Sequence, residues 1–144
     1  VFTKQEDHMI NPTSSFPVFV VNLGHAKEFY TGYFSFNIAF ENEWYLHLVS
    51  ASGVQFGFML PNQPNQPEIF HGFFSGEGVI FSIEVDNVDE AYAHAQNRNL
   101  NIVLTLRSED WGQRHFSVED PNGVYVDVVQ AIEPTGEYQG DYTI

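Results

Sequence analysis

The chain has 144 residues with 19 acidic against 5 basic side chains, and its formal charge of −14 would repel phosphate backbones and anionic lipid, which argues against nucleic acid or a membrane as partner. Apolar residues make up 43% and aromatics 16%, including 14 Phe, enough to bury a core in one domain or in two small halves that share one. There is no Cys, which removes disulfides, thiolate metal sites and a Cys nucleophile; no apolar run is long enough for a membrane span and no export leader is apparent, so a cytoplasmic protein is expected.

Residues 1–14 are polar without strand or helix period and are set aside as an N-terminal extension, in which His8-Met9 resembles the junction of an appended segment and Met9 a natural start. Phe16 to Val21 is β-branched and aromatic and predicts a buried strand. Asn22 then suits a helix N-cap, with Ala26, Phe29, Tyr30 and Tyr33 following at i, i+3, i+4 and i+7. Phe36 to Phe40, Trp44 to Val49 and Val54 to Leu60 predict three more strands. Pro61 to Gly78 is rich in Pro and Gly and reads as a connector, whose Ile69, Phe70, Phe73 and Phe74 are expected to pack over a cleft or a partner.

Beyond the connector the first half repeats. Val79 to Val85 predicts a strand, Asn87 caps a helix with Glu90 three residues on, and Val88, Ala91, Tyr92 and Ala95 restore the helical spacing. Strands over Ile102 to Arg107, Gln113 to Val118 and Val124 to Gln130 complete a second β-α-β-β-β unit, and residues 132–144 form a tail. The two copies agree best at Gly53-Val54-Gln55-Phe56-Gly57-Phe58 against Gly123-Val124-Tyr125-Val126-Asp127-Val128. In the last strand Val124, Val126 and Val128 alternate with Tyr125, Asp127 and Val129, so one face builds core and the other can line a cleft.

The hairpin from Trp111 to Gln130, with its Asp120-Pro121-Asn122-Gly123 turn and Asp127 four positions after the Gly, resembles the end of a glyoxalase/bleomycin-resistance/extradiol-dioxygenase protein, and Trp111-Gly112 and Phe116 are closest to the bleomycin-resistance-like branch. The resemblance covers 15–131 and implies an α+β fold of two βαβββ modules, about 15–60 and 79–131, with cleft-lining mixed sheets and helices outside. A homodimer, common among such proteins, is a further expectation.

In the family's metal-dependent members four side chains on the first and last strands of each module hold a divalent cation. The resemblance carries these positions to Ser15, Gly57, Ile80 and Asp127, which offer one carboxylate, so no metal and no other cofactor is expected there. His47, Glu84, His71 and His115 are the donors for a shifted site, with no short ligand spacing among them.

Strand alternation turns Ser82, Glu84, His115, Ser117, Tyr125 and Asp127 away from the core faces. The ligand-binding candidates are Trp44, His47, Glu84, Arg107, Trp111, His115, Tyr125 and Asp127. Trp44 and Trp111 either stack a planar or cationic ligand or close the ends of the cleft, and Asp127 or Glu84 can pair with a cation. Arg107 and Arg114 either clamp an anion or, for Arg114, pair with Glu119 or Asp120. No catalytic residue is assigned; Asp127, Glu84 and His115 are the groups available for acid–base chemistry. The expectation is metal-independent binding of a small cationic or aromatic molecule. The alternatives are a lyase, isomerase or dioxygenase of the same superfamily with a non-standard or shifted metal site, and an interaction module that docks a partner on the aromatic connector.

Overall fold

The computed structural model describes residues 9–140, and the junction at His8 lies partly outside them. The element order is β1 (Val18–Val20), α1 (Leu23–Gly32), β2 (Phe36–Glu41), β3 (Tyr45–Ser50), β4 (Gln55–Met59), β5 (Phe81–Glu84), α2 (Val88–Asn97), β6 (Ile102–Glu109), β7 (Gln113–Glu119) and β8 (Tyr125–Ala131). Two four-stranded mixed sheets result, β1-β4-β3-β2 and β5-β8-β7-β6, one from each βαβββ module. In each, the first strand runs parallel to the last and the other pairs are antiparallel. Among the described residues no helix is long and apolar enough to cross a membrane.

Both helices begin where the sequence supplies a cap. The Asn22 side chain accepts from the Gly24 N–H at 3.2 Å, and that of Asn87 from the Glu90 N–H at 3.0 Å. Ala26, Phe29 and Tyr30 are buried on α1, and Val88 and Ala95 on α2. Tyr33, expected on the apolar stripe, is the C-cap of α1 and is 46% exposed, because the helix ends at Gly32 before its side chain can turn inward.

The strands alternate as their period of two requires. Leu46, Leu48, Phe56, Phe58, Phe116, Val118, Val126 and Val128 face the helices and are buried, while Tyr45, His47, Gly57, His115, Ser117 and Asp127 stand on the opposite faces. The buried faces of the two modules join in one core, where Phe81 of the second module meets Phe56 at 4.7 Å and Phe19 at 5.8 Å between ring centroids. A buried hydrogen bond from the Tyr30 hydroxyl to Asp120 Oδ2, 2.8 Å, ties α1 to the β7–β8 turn. Gly123, at φ +83°, adopts the left-handed conformation that the turn requires.

Three boundaries differ from the sequence reading by two residues, and the others by no more than one. β1 starts at Val18 because Pro17 has no N–H for the ladder, although its carbonyl accepts from the Gly57 N–H at 2.9 Å. Val79 and Ile80 lie outside β5 and are 45% and 70% exposed. β6 runs two residues past Arg107, and its register against β7 shifts twice, which carries Glu109 opposite Gln113.

Candidate functional site

The open face of the first sheet carries a cavity of about 640 Å³. Val18, Val20 and Met59 form its floor, Phe40, Trp44 and Tyr45 one wall, and Gln66, Ile69, Phe70 and Gly72 of the connector the other. The β2–β3 turn sets Trp44 in place: the Asn42 side chain accepts from the backbone N–H groups of Trp44 at 2.9 Å and Tyr45 at 2.8 Å. The connector is closed by its own bonds, from Asn62 N–H to the His71 carbonyl at 3.2 Å and from His71 Nε2 to the Gln66 carbonyl at 2.8 Å. It is fastened to the core by Phe74, whose N–H donates to the Val20 carbonyl at 3.0 Å and whose ring meets Phe19 at 5.4 Å. No Asp, Glu, Lys or Arg lines this cavity.

Beside it a polar chain crosses the sheet. The Tyr45 hydroxyl lies 2.8 Å from His47 Nδ1, and His47 Nε2 lies 2.8 Å from Gln55 Oε1. Gln55 Oε1 can only accept, so His47 carries its proton on Nε2 and Nδ1 accepts from the phenol. Gly57 makes room for this arrangement, since a Cβ there would collide with the Tyr45 hydroxyl. Burial raises the Tyr45 pKa, so at neutral pH the group is an intact phenol.

The open face of the second sheet carries a separate cavity of about 400 Å³, lined by Ile80, Val103, Leu104, His115, Ser117, Tyr125 and Asp127. His115 is 8% exposed and held on both sides, Nδ1 at 2.8 Å from Asp127 Oδ1 and Nε2 at 2.8 Å from Glu109 Oε2. Arg107 Nε donates to the same Glu109 oxygen at 2.6 Å, and the Ser117 hydroxyl to Asp127 Oδ1 at 2.7 Å. Burial is the largest influence on His115 and opposes its charge, but bonding to Glu109 and Asp127 outweighs it and raises the pKa. The hydrogen bonds from His115 and Arg107 in turn hold the Glu109 carboxyl below the usual range.

The eight candidates of the sequence reading therefore do not converge within one chain. Trp44 walls the first cavity, and His47 stands beside it in the Tyr45–Gln55 chain. His115, Tyr125 and Asp127 meet in the second cavity, and Arg107 is linked to them only through Glu109, which bonds His115. Glu84 is exposed on β5 beyond Ser82 and lines neither cavity. Trp111 is 39% exposed at the β6–β7 turn, where its Nε1–H donates to Gln113 Oε1 at 2.9 Å. Arg114 pairs with Asp89 in a two-pronged contact of 2.9 and 3.2 Å rather than with Glu119 or Asp120, because β7 turns Arg114 toward the helix side, where the start of α2 is in reach.

Sequence reasoning missed Tyr45, Gln55 and Glu109. Alternation from His47 puts Tyr45 on the same face and would have found it; Glu109 depends on the irregular β6 register, which leaves no sequence signal.

The positions that could hold a divalent cation can be set by register. Val18 pairs with Gly57 as Ser82 pairs with Asp127, so the counterpart of Ile80, two residues before Ser82, is Phe16 rather than Ser15. Phe16, Gly57 and Ile80 supply no donor atom, Tyr45 fills the space at Gly57, and Asp127 is bonded to His115 and Ser117. This donor set does not fit a metal at that place. Among the described residues no group of three or more His, Cys, Asp or Glu side chains is arranged to hold one.

Residues 7–128 match the model of the Glyoxalase/Bleomycin resistance protein/Dioxygenase superfamily. Solved structures share the fold: a glyoxalase/bleomycin resistance protein/dioxygenase from Nocardioides is 15% identical with a TM-score of 0.74, over 94% of this chain and 95% of that one. A lactoylglutathione lyase from Agrobacterium tumefaciens is 17% identical with a TM-score of 0.67, over 84% and 96%. TioX from Micromonospora sp. ML1 is 16% identical with a TM-score of 0.63, over 87% and 100%. None of the curated proteins matches the chain.

Proposed function

From the premise that this chain belongs to the Glyoxalase/Bleomycin resistance protein/Dioxygenase superfamily, whose scaffold serves both binding and catalysis, we propose that it binds a small, uncharged, planar apolar molecule over its first sheet, without a metal. The observation that carries this reading is the cavity of about 640 Å³ walled by Phe40, Trp44, Ile69 and Phe70. Its size and apolar lining with a few amide and hydroxyl groups are those of a small-molecule site, and an indole wall favours an aromatic guest. The ligand expected from the sequence was cationic or aromatic, and the surroundings favour the second. No carboxylate lines this cavity, and Asp127, which the sequence offered for a cation, is held by His115 and Ser117 over the other sheet. Metal-dependent lyase, isomerase or dioxygenase chemistry finds no support in the donor set described above.

Fluorescence titration with neutral bicyclic aromatics such as 2-naphthol tests the reading. Saturable quenching is expected in wild type and in Trp111→Phe, which keeps Trp44 as its only indole, and should be lost in Trp44→Phe. Quenching that persists in Trp44→Phe, or that never saturates, would overturn the assignment. For a protein partner we propose a second copy of this chain, since the open sheet faces leave Phe40, Ile80 and Val103 54%, 70% and 46% exposed. Sedimentation that shows monomers at every concentration would refute that.

A further inference from the structure

We infer that Tyr45 gives this cavity its polar specificity by accepting a hydrogen bond, so that the preferred ligand is an aromatic molecule bearing an O–H or N–H group; the inference rests on the cavity reading above. Three observations carry it.

The first is direction. Gln55 Oε1 fixes the His47 tautomer, His47 Nδ1 takes the Tyr45 proton, and the phenol therefore cannot donate to a guest without breaking that bond. The second is capacity. Among the described residues the Tyr45 hydroxyl makes no other hydrogen bond, so its oxygen keeps an acceptor lone pair in a side chain that walls the cavity. The third is placement. The hydroxyl lies over Gly57, whose strand partner is the floor residue Val18, and any side chain at Gly57 would displace it. Burial also keeps the phenol protonated, so the oxygen remains the neutral end of an aligned chain rather than a phenolate that would attract cations.

Asn42, at the β2–β3 turn, adds to the polarity. Asn42 spends its side-chain oxygen on the N–H groups of Trp44 and Tyr45, which leaves its amide N–H groups to donate. Tyr45 thus offers the guest an acceptor and Asn42 a donor, beside the Gln66 amide and the Trp44 indole N–H, and no Asp, Glu, Lys or Arg lines the cavity. An ether or ketone oxygen can satisfy Asn42 but not Tyr45; a hydroxyl or N–H group can satisfy Tyr45.

Isothermal titration of 2-naphthol against 2-methoxynaphthalene tests this, because the two share the ring and the oxygen and differ in the donor. Wild type should bind 2-naphthol about fivefold more tightly, the effect of one neutral hydrogen bond. Tyr45→Phe should bring the two within about twofold, which separates the hydrogen bond from any steric effect of the methyl group. His47→Leu should shrink the preference from the other side, since a phenol freed from His47 can donate to the ether oxygen; a Tyr45 that merely packs would not respond in this way. A preference that survives Tyr45→Phe, or equal binding by wild type, would overturn the role of Tyr45 while leaving the cavity reading intact. If neither probe binds wild type, the cavity reading falls and this inference with it.

Discussion

Tyr30→Phe removes one oxygen atom, yet it should cost far more than a typical surface change. Tyr30 is fully buried, and its hydroxyl donates to Asp120 Oδ2 at 2.8 Å while Oδ1 accepts from the Asn122 and Val124 N–H groups, each at 2.8 Å. Phe keeps the ring contacts with Phe56 at 4.7 Å and Phe58 at 5.3 Å, so packing changes little. The loss is that of a hydrogen bond to a buried carboxylate, about 1.5–3 kcal/mol, which for a domain of this size lowers Tm by roughly 3–12 °C. Burial, the largest influence on Asp120, raises its pKa, against lowering by the Val124 N–H and the Tyr30 hydroxyl. A carboxyl raised in the folded state holds a proton that the unfolded chain has released, so between the two pKa values stability increases as pH falls. Without the Tyr30 hydroxyl the folded value rises further and that window widens. The deficit of Tyr30→Phe should therefore be greatest near neutral pH and shrink on acidification. Urea denaturation of both proteins at about pH 7 and pH 5 measures it. A deficit under about 0.5 kcal/mol at the higher pH, or one that grows in acid, would refute the account.

His115 should make stability depend on pH in the alkaline direction. Glu109 of β6 and Asp127 of β8 face its ring, with Arg107 and Ser117 behind them, and its folded pKa lies above the unfolded value near 6.5. The contribution of the imidazolium is complete below the unfolded value and is lost as pH rises through the folded one. Melting curves from about pH 6 to pH 9 should fall more steeply for wild type than for His115→Gln; parallel curves would acquit this histidine. Phe56→Ala tests the shared core: Phe56 is fully buried, with Tyr30, Phe36 and Phe81 each at 4.7 Å, and its truncation should cost about 3–5 kcal/mol by urea denaturation. A loss below about 2 kcal/mol would mean that the neighbouring rings close the gap.

The fold was legible because each element obeys its own period. Val126 and Val128 alternate with Tyr125 and Asp127, Phe29 and Tyr30 recur at helical spacing, and Asn22 and Asn87 mark both helix starts, so local pattern alone encodes the two modules. Which face each strand residue takes followed from the same alternation. Which residues share a cavity did not. Trp44 and Asp127 look alike as open-face candidates, but the modules pack through their buried faces at Phe56 and Phe81, which leaves the open faces as separate surfaces. Arg114 found Asp89 rather than the nearer acids in sequence, since a strand residue reaches what its face confronts. Glu109 joined His115 through shifts in the β6 register that no periodicity encodes.

The internal repeat sharpens the point about chemistry. Tyr45, His47 and Gly57 stand in the first sheet where His115, Ser117 and Asp127 stand in the second, because Tyr45 pairs with Met59 and His47 with Gly57 as His115 pairs with Val129 and Ser117 with Asp127. Differences at these three positions, together with Gln55 in the first sheet and Glu109 and Arg107 in the second, thus separate a directional chain without a carboxylate from a set of charges that neutralise one another. In the second sheet the carboxylate at Asp127 recruits an imidazole, and the imidazole recruits Glu109 and Arg107. In the first the missing side chain at Gly57 admits a phenol, and the phenol orders His47 and Gln55 with no carboxylate or guanidinium among them. Adding a carboxylate at Gly57 would not convert the first sheet into a copy of the second, since Tyr45 occupies the required space and would have to leave with its hydrogen-bonded partners. On the proposed binding reading, the polarity offered to a guest is therefore set by which module faces it, and the absence of one Cβ decides it for the larger of the two cavities.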